Sequence, residues 1–326
     1  RLVVSGAGAA PASAVLDGPR ARVEARITGG GKTWKATFAL DASRWGGPVL
    51  PLPAGVYELR VEGVDLSTIE IPATVLAGLR VAAAGAEVTI SAPVDPVYET
   101  AEGQATLEGR YVAQVGGTEN AVFFESFYGR TVGCNPQAID RVLAVDAPSV
   151  TRYWSVSDLS VAVPDGAIAV VEGSPEWWRA RASARLLIVN DWLRRRFARK
   201  DGQKVVQTWH GTPLKRLALH RPGFDPRRMA AVVKESRRWD VLLAQNTYSE
   251  RILRKAYAFF GRPIWTEGYP RNDALLTGDA AAVRASLGIR AEERVLLYAP
   301  TWRDDRTEMV DFIDPEELAR QADAVV

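Results

Sequence analysis

The chain has 326 residues, of which 47% are hydrophobic and 25% are charged, and its formal net charge is +2. These values are ordinary for a globular protein. The single cysteine, Cys134, excludes an internal disulfide and a Cys-x-x-Cys zinc or redox site, and it fits a reducing, cytoplasmic setting. No run of about 18 apolar residues is present, so we expect no transmembrane helix, and no signal peptide is visible.

Residues 1–98 predict a small all-β domain. Short runs at 21–27, 33–40, 55–61 and 87–90 alternate apolar and polar side chains, and clusters of Gly and Pro separate them. Many short strands at regular spacing favour a sandwich. Because this part has no His or Cys and its charges are scattered, we interpret it as an independent structural or interaction module without a catalytic role.

From about residue 105, strand-like and helix-like segments alternate. Strands are predicted at 121–124, 159–163, 185–189, 204–208 and 241–244; helices are predicted at 135–145 and 249–260, with a long basic helical region from 208 to about 239. This alternation favours a doubly wound parallel sheet. We therefore predict a first α/β domain over residues 105–274.

A second α/β unit is predicted over residues 275–326. It has helical patterns at 279–287 and 314–322 and a strand pattern at 294–299. The chain opens at Arg1 rather than Met and stops where a new apolar run begins, at 324–326. We therefore expect a segment of a longer protein, with this second unit truncated.

Basic residues concentrate in one part of the chain. Residues 175–260 contain 20 basic and seven acidic side chains, an excess of 13 positive charges, and five basic residues fall within 194–200. If 194–200 is helical, these side chains form a broad positive surface and are expected to be the outer contact with an anionic membrane, nucleotide or polyphosphate. The alternative is a solvated helical face.

The segment 205–215 (VVQTWHGTPLK) carries the densest chemical signal. An apolar strand runs into a polar turn, and ligands of open α/β sheets bind outside the carboxyl ends of strands. Thr212 is predicted to cap a following helix with Pro213 at its first position, so that the backbone from Gly211 onward and the charge of Lys215 would bind a phosphate.

His210 in this segment is the candidate proton acceptor. It is one of two histidines, and an imidazole can accept a proton at neutral pH. The other histidine, His220, lies in a basic, Pro-flanked stretch and is interpreted as a surface residue.

Two further turn-rich motifs contain candidate phosphate ligands. In 268–273 (GYPRND), Arg271 is a candidate phosphate ligand and Asp273 a candidate cap or site residue; a plain domain linker is the alternative. In 298–305 (YAPTWRDD), Thr301 and Arg303 are candidate donors to phosphate oxygens, and Asp304 is placed to orient Arg303 or a substrate hydroxyl. A capped turn with an ordinary ion pair is the alternative there, and a metal site is the weaker one.

A fourth motif combines 123–130 (FFESFYGR) with 134–139 (CNPQAI). A strand ends in a glycine-containing loop, and a helix follows. Glu125 and Arg130 are the candidate acceptor-site residues, with simple fold punctuation as the alternative. The chain has neither the P-loop motif nor the His-Glu-x-x-His motif, and the basic stretch lacks the interleaved aromatics of a nucleic-acid groove, so no nucleic-acid partner is expected.

In chain order, the four motifs lie at 123–139, 205–215, 268–273 and 298–305. Together and in that order, they resemble the motifs of the CDP-glycerol:poly(glycerophosphate) glycerophosphotransferases, a family of teichoic acid primases and polymerases. The resemblance covers roughly residues 105–326 and implies a two-domain GT-B fold. It implies transfer of glycerol phosphate, or a related polyol phosphate, from a CDP-activated donor to a hydroxyl of a lipid-linked or polymeric acceptor, with release of CMP. It also implies that His210 is the catalytic base and that a second functional histidine lies beyond the 298–305 motif, where this chain has none.

The resemblance further implies a CDP-polyol donor, a polyanionic lipid-linked acceptor and an anionic membrane surface as partners. We expect no metal-binding residues and no cofactor beyond the donor substrate, and a cytoplasmic location on the inner face of the membrane. Two other functions are open: a GT-B glycosyltransferase that uses a nucleotide sugar, and a non-catalytic protein that binds an anionic polymer or membrane.

Overall fold

Two compact units, Arg1–Arg271 and Asn272–Val326, make up the chain. The structure, a computed structural model, describes residues 1–44, 46–76, 78–114, 116–299 and 313–325. No helix within these ranges is long and apolar enough to cross a membrane.

The first 91 residues form antiparallel sheets. The strands are β1 (Leu2–Ala7), β2 (Ala14–Asp17), β3 (Arg22–Glu24), β4 (Arg26–Gly30), β5 (Thr33–Phe38), β6 (Asp41–Ser43), β7 (Val49–Pro51), β8 (Gly55–Val61), β9 (Glu70–Leu76), β10 (Leu79–Ala84) and β11 (Glu87–Ser91). They pair in the orders β1-β5-β4, β3-β2-β8-β11-β10-β9 and β6-β7.

Alternating side chains explain why these strands pack face to face. In β8, for example, Tyr57, Leu59 and Val61 are buried while the residues between them are exposed. The buried side chains of the two larger sheets form one hydrophobic cluster, which includes Trp34 from the three-stranded sheet and Leu79 from the six-stranded sheet. The predicted all-β start of the chain is therefore confirmed.

A seven-stranded parallel sheet follows. Its strands are β12 (Glu119–Glu125), β13 (Thr151–Val156), β14 (Ile168–Val171), β15 (Ala184–Val189), β16 (Lys204–Gln207), β17 (Val241–Leu243) and β18 (Ile264–Trp265). The helices of this part are α1 (Ala101–Ala113), α2 (Cys134–Asp146), α3 (Pro175–Ser183), α4 (Pro226–Ser236) and α5 (Thr247–Ala256), with short 3-10 turns at Pro96–Glu99, Phe127–Gly129, Ala218–His220 and Pro270–Asp273. The predicted α/β architecture is confirmed; the domain boundaries near 98–105 and 274 stay a prediction.

The strand order creates a crevice at one edge of this sheet. The order is β14-β13-β12-β15-β16-β17-β18, so the chain moves outward from β12 in one direction and then returns to place β15 on its other side. Ligands of such sheets bind outside the carboxyl ends of the strands at this reversal. The loops that follow β12, β15 and β16 therefore mark the candidate site.

Three predicted elements are wrong. Residues 159–163 form no strand; β13 at 151–156 occupies that place, and its Trp154 and Val156 are fully buried. The basic region after 208 is helical only in α4 and in the short turn 218–220. Of the predicted strand 294–299, only Val295 makes a β-bridge, to Val325.

The unit Asn272–Val326 contains the helices α6 (Ala274–Thr277), α7 (Ala280–Ser286) and α8 (Pro315–Ala322). Asp279 caps α7 and Asp314 caps α8, with side-chain oxygens that accept backbone N–H groups of the first turn. Both helices lie within the helical patterns predicted from the sequence.

Candidate active site

His210 lies at the carboxyl edge of the sheet, three residues after β16. Its Nδ1 lies 2.8 Å from the backbone oxygen of Asn190, which follows β15. A carbonyl oxygen only accepts hydrogen bonds, so in the neutral ring Nδ1 carries the proton and Nε2 keeps its lone pair. The position of Asn190 thus fixes the tautomer in which Nε2 of His210 can take a proton.

Two aromatic rings hold the imidazole in place. Trp209 stacks on it, with ring centroids 4.8 Å apart and planes 20° apart. Phe127, in the loop after β12, approaches edge-on at 5.7 Å. Residues from the ends of β12, β15 and β16 therefore converge on one histidine, as the strand order predicts.

Strained backbone surrounds this histidine. Phe127, Tyr128, Cys134 and Trp209 all have positive φ angles, between 47° and 60°. Residues other than glycine adopt this region rarely, and such strain clusters at functional sites. Four of the eight such non-glycine residues in the described chain thus lie in the loops of this edge.

Asn135 fixes the backbone just before His210. Its side chain is fully buried and donates to the oxygens of Thr208 at 3.1 Å and Trp209 at 3.0 Å. Gln207 adds an acceptor for the Trp209 N–H at 2.9 Å. These side-chain partners replace the backbone hydrogen bonds that the turn cannot make.

Arg271 reaches the same site from the end of the first unit. Its Nη1 donates to the backbone oxygen of His210 at 2.8 Å and contacts Sγ of Cys134 at 3.0 Å. Tyr269 supports it, because its hydroxyl donates to the oxygen of Gly211 at 3.0 Å. The structure thus brings Arg271 to His210, and no acidic side chain in the described chain forms an ion pair with its guanidinium.

The segment after His210 differs from the prediction. No helix follows Pro213, so the predicted helix N-terminus as a phosphate cradle is wrong. Thr212 instead donates its hydroxyl to Oε1 of Gln245 at 2.7 Å, and Leu214 and Lys215 are exposed. Pro213 locks its own φ angle, but the next three residues, 214–216, are all exposed and supply no buried apolar face to pack a helix.

Asp191 is a charged group of the site that the sequence interpretation missed. It follows Asn190 after β15, and Gln207 donates to its backbone oxygen at 2.9 Å. Burial raises the pKa of its carboxyl, while the nearby charge of His210 and a hydrogen bond from Tyr128 oppose that rise. A signal was present: the apolar run 186–189 ends in Asn-Asp at a strand end, the same position that singles out His210.

Asn190 and Asn135 were missed as well. The Oδ1 of Asn190 accepts the Phe127 N–H at 2.9 Å and its Nδ2 donates to Oγ of Ser126 at 3.2 Å. It therefore ties the loop after β12 to the carbonyl that holds His210. Polar residues of this kind have no distinctive sequence spacing, since their partners lie 63 or more positions away.

The two predicted acceptor-site residues lie in different environments. Glu125 is 4% exposed, and its Oε2 accepts the hydroxyl of Ser155 at 2.8 Å. Burial raises the pKa of Glu125, against the opposing charge of Arg181 and the hydrogen bond from Ser155. Arg130 is exposed at the end of the same loop. Glu125 thus belongs to the interior below the site, and Arg130 to its surface.

The remaining predicted residues are only partly described. Asp273 lies in the second unit, directly before α6, and its side chain does not cap that helix. Thr301, Arg303 and Asp304 lie outside the described residues. Among the described residues, no group of three or more His, Cys, Asp or Glu side chains is arranged to hold a metal ion.

The four arginines of the basic run 194–200 are exposed, but acidic side chains offset part of their charge. The run contains no helix, and distant acidic residues pair with it. Glu172 binds both Arg194 and Arg195, in the latter case at 3.0 Å, and Asp240 binds Arg199 at 2.5 Å. These ion pairs offset part of the positive charge of the run, because the fold brings near carboxylates that are distant in the sequence; that the run is the outer contact with an anionic membrane stays a prediction.

Lys200 is the one basic residue of the run that is buried. It is 8% exposed, and its Nζ donates to the backbone oxygens of Tyr111, Val112 and Gln114 at the end of α1. Of the five basic residues in the run, only Arg196 has a mainly exposed side chain, 4.0 Å from Glu108. The run thus connects α1 to the residue that follows β14, Glu172, and to the residue that precedes β17, Asp240.

The fold and the site together define an open parallel α/β protein with a histidine and an arginine side by side at the strand-order reversal. The chain belongs to the CDP-glycerol:poly(glycerophosphate) glycerophosphotransferase family, whose profile matches residues 111–325.

Characterised relatives agree with this assignment. The teichoic acid poly(glycerol phosphate) polymerase of Bacillus subtilis (strain 168) is 36% identical over 197 residues, which are 57% of this chain and 26% of that protein. The teichoic acid glycerol-phosphate transferase of Staphylococcus aureus (strain NCTC 8325 / PS 47) is 31% identical over 212 residues, covering 57% of this chain and 51% of that protein. The match thus spans about a quarter to a half of the length of these relatives.

Solved structures of the wall teichoic acid polymerase TagF have the same fold. One matches with a TM-score of 0.63 and 30% identity, over 69% of this chain and 60% of the other. A second, a histidine-to-asparagine variant soaked with CDPG, matches with a TM-score of 0.62 and 29% identity, over 68% and 58% of the two chains.

Proposed function

We propose that the intact protein transfers glycerol phosphate, or a related polyol phosphate, from a CDP-activated donor to a hydroxyl of a lipid-linked or polymeric acceptor in the synthesis of a teichoic-acid-like polymer. One observation carries the proposal: Nδ1 of His210 is held by the Asn190 carbonyl, which leaves Nε2 as a proton acceptor at the strand-order reversal. Family membership and the CDPG soaked into a related TagF structure support the choice of donor.

In the proposed step, the hydroxyl oxygen of the acceptor attacks the β-phosphorus of the donor. Its proton passes to Nε2 of His210, the phosphoanhydride bond breaks, and CMP leaves with the electron pair of that bond. Phosphoryl transfer of this kind depends on positioning and on stabilisation of phosphate charge. His210 supplies the base, and its ring is oriented by Trp209 and Phe127 before the acceptor arrives.

Three cationic side chains are proposed to stabilise the phosphates. Arg271 already contacts the backbone of His210, and Arg130 and Lys215 are exposed on loops that belong to the same edge. Gly211 and Thr212 are proposed to contribute backbone N–H donors without a helix. Thr301, Arg303, Asp304 and Asp273 remain proposed donor ligands in the second unit of a GT-B arrangement.

A different set of residues is proposed for the anionic membrane surface. Between β16 and α4, two apolar side chains are strongly exposed, Leu214 at 81% and Phe224 at 85%. Three exposed basic side chains near them, Arg216, Arg221 and, in the first turn of α4, Arg227, have no ion pair within the described chain. We call these five residues the loop cluster. Each basic residue near an anionic leaflet contributes about 1 kcal/mol, so the cluster fits peripheral attachment on the inner face of the membrane.

The donor is tested by supplying CDP-glycerol, CDP-ribitol and a UDP-sugar side by side to the intact protein with a lipid-linked polyol phosphate acceptor. We expect release of CMP from a CDP-polyol and none of UDP from the sugar donor. UDP release, with no CMP from either CDP-polyol, would instead establish the glycosyltransferase alternative. Binding of the acceptor without any turnover would favour a non-catalytic role.

The membrane contact is tested by sedimentation with vesicles of phosphatidylglycerol or phosphatidylcholine. Changing the three basic residues of the loop cluster to Gln should remove binding to the anionic vesicles. A matched variant changes three exposed basic residues of the β domain, Arg22, Arg26 and Lys32, to Gln. Equal binding of the two variants would refute the loop cluster as the contact.

A further inference from the structure

A buried carboxylate, Asp158, joins the β domain to the parallel sheet. It lies two residues after β13 and is 1% exposed. Its Oδ2 accepts Nη2 of Arg20 at 2.6 Å and the N–H of Ala54 at 3.1 Å, both from the β domain. Its Oδ1 accepts the N–H and the hydroxyl of Ser160, at 2.9 and 2.5 Å. Every oxygen of this carboxylate therefore has two donors.

The charge state of Asp158 suits this position. Burial acts to raise the pKa of its carboxyl, but hydrogen bonds from Ser160, Arg20 and Ala54 outweigh burial and hold the pKa below its ordinary range. The group is therefore ionised at neutral pH, and the contact with Arg20 is a charge-assisted hydrogen bond.

Both β-domain loops that reach Asp158 are rigidly built. The turn that carries Arg20 closes with a hydrogen bond from Gly18 N to Ala21 O at 3.0 Å, and a Cβ on Gly18 would lie 2.4 Å from the ring of Tyr57. The Tyr57 hydroxyl donates to the oxygen of Pro53 at 2.8 Å, in the loop that carries Ala54. The buried Tyr57 thus braces both loops.

The strand end that carries Asp158 also supports the site. The N–H of Ser157 donates to the oxygen of Gly129 at 2.8 Å. Gly129 has a φ of +73°, and a Cβ there would lie 3.0 Å from Ser157 N, so the two backbones touch. Two residues earlier in the same loop, Phe127 contacts the His210 ring and donates its N–H to Asn190.

We infer that Arg20 and Asp158 are positioning residues for the active site. Through Ser157 and Gly129, their contact fixes the loop 126–130 that orients His210, so the β domain takes part in the reaction without touching substrate. This path requires glycine at position 129, because only a residue without Cβ allows the loop to contact the end of β13. The role of Arg20 in turnover rests on the proposed function, whereas its effect on the His210 environment does not.

Histidine side-chain NMR of the intact chain tests the inference directly. The sequence has two histidines, so their ring resonances are assigned with single His→Gln variants. Arg20→Gln should shift the His210 ring signals and leave those of His220 in place. The matched control is Arg60→Gln, whose arginine is 57% exposed and pairs within the β domain with Asp17 and Glu58; it should shift neither.

Turnover of the CDP-polyol provides the second readout. Displacing a positioned catalytic group by about 1 Å costs up to about 100-fold, so we expect Arg20→Gln to lower kcat about 10-fold with the donor KM changed less than twofold. Asp158→Asn should have a similar effect, and the double variant should be little worse than either, since both act through one contact. Arg60→Gln should retain the wild-type kcat.

Three results would overturn the inference: unchanged His210 signals in Arg20→Gln, shifts of equal size in Arg60→Gln, or shifted signals with an unchanged kcat. If the wild-type protein turns over no CDP-polyol, the proposed function fails, and the comparison of the two variants by NMR then decides the positioning role alone. The positioning role is supported if the His210 signals shift in Arg20→Gln and stay unchanged in Arg60→Gln.

Discussion

Replacing Lys200 with Met should destabilise the first unit, because the ammonium group belongs to the interior. Its Nζ donates to the oxygens of Tyr111, of Val112 at 3.3 Å and of Gln114 at 3.0 Å. These carbonyls lie at the C-terminal end of α1 (Ala101–Ala113), where the last turn of a helix has no intrahelical partners for its oxygens. The methionine fills the space of the lysine stem and removes the donor and the charge.

The magnitude follows from opposing contributions. A hydrogen bond to a charged group contributes about 1.5–3 kcal/mol, and a cation at a helix C-terminus adds about 0.3–1 kcal/mol. Desolvation of the ammonium opposes these, and burial lowers the pKa of Lys200 accordingly. We expect a net loss of about 2–3 kcal/mol, which lowers Tm by about 4–10 °C in a unit of this size.

The assay is urea and thermal unfolding, followed by the fluorescence of the ten tryptophans and by circular dichroism. Lys204→Met is the matched control, because that side chain is 68% exposed and pairs with Asp240 at 3.6 Å; such surface pairs contribute about 0–1 kcal/mol. If the two variants differ by less than about 0.5 kcal/mol, Lys200 does not hold the end of α1 and the account of the basic run is wrong.

Other substitutions test the packing around the site. Gly129→Ala should cost about 1–3 kcal/mol, because a Cβ at its φ of +73° meets the backbone after β13, whereas Gly133→Ala, with an extended φ and no close neighbour, should cost less than about 1 kcal/mol in the same unfolding assay. Arg152→Met should cost about 3–5 kcal/mol, since it leaves the fully buried Asp140 without its 2.9 Å partner; a smaller loss than in Lys204→Met would contradict this. The raised pKa of Glu125 means that the folded state binds a proton that the unfolded state has released, so stability should fall as pH rises above about 4.3, and Glu125→Gln should flatten that part of the stability profile.

The sequence predicts the architecture well where local pattern and burial agree. The helix predicted at 135–145 is α2, and the apolar runs 121–124 and 185–189 lie within β12 and β15. His210 was singled out because strand-end position and residue type are both local properties. The same logic could have found Asp191, which lies two residues after the end of β15.

Predictions from the sequence fail where tertiary contacts determine the structure. Residues 159–163 alternate in a strand-like way, yet the fold uses this stretch as the loop that follows Asp158, and the more polar 151–156 becomes the strand. Likewise, the basic run looked uncompensated because its partners Glu172 and Asp240 are more than 20 residues away along the chain. Charge counted in a sequence window therefore does not show which charges the folded surface exposes.

Distant contacts also limit what the sequence indicates about the function of the β domain. Scattered charges and the lack of histidine predicted a module without a catalytic role, and that interpretation stays a prediction. The hydrogen bonds of Arg20 and Ala54 to Asp158 span more than 100 positions. No sequence pattern announces a contact at that distance, although it links the β domain to the loop beside His210.

The most direct test of the proposed reaction compares the two histidines in the intact protein. CMP release from CDP-glycerol is measured with saturating acceptor for the wild type, His210→Gln and His220→Gln, each checked for folding by circular dichroism. We expect His210→Gln to lower kcat about 100- to 10,000-fold, the usual contribution of a general base, and His220→Gln to stay within about threefold of the wild type. A folded His210→Gln variant that retains more than about one third of the wild-type kcat would contradict the assignment of His210 as the base.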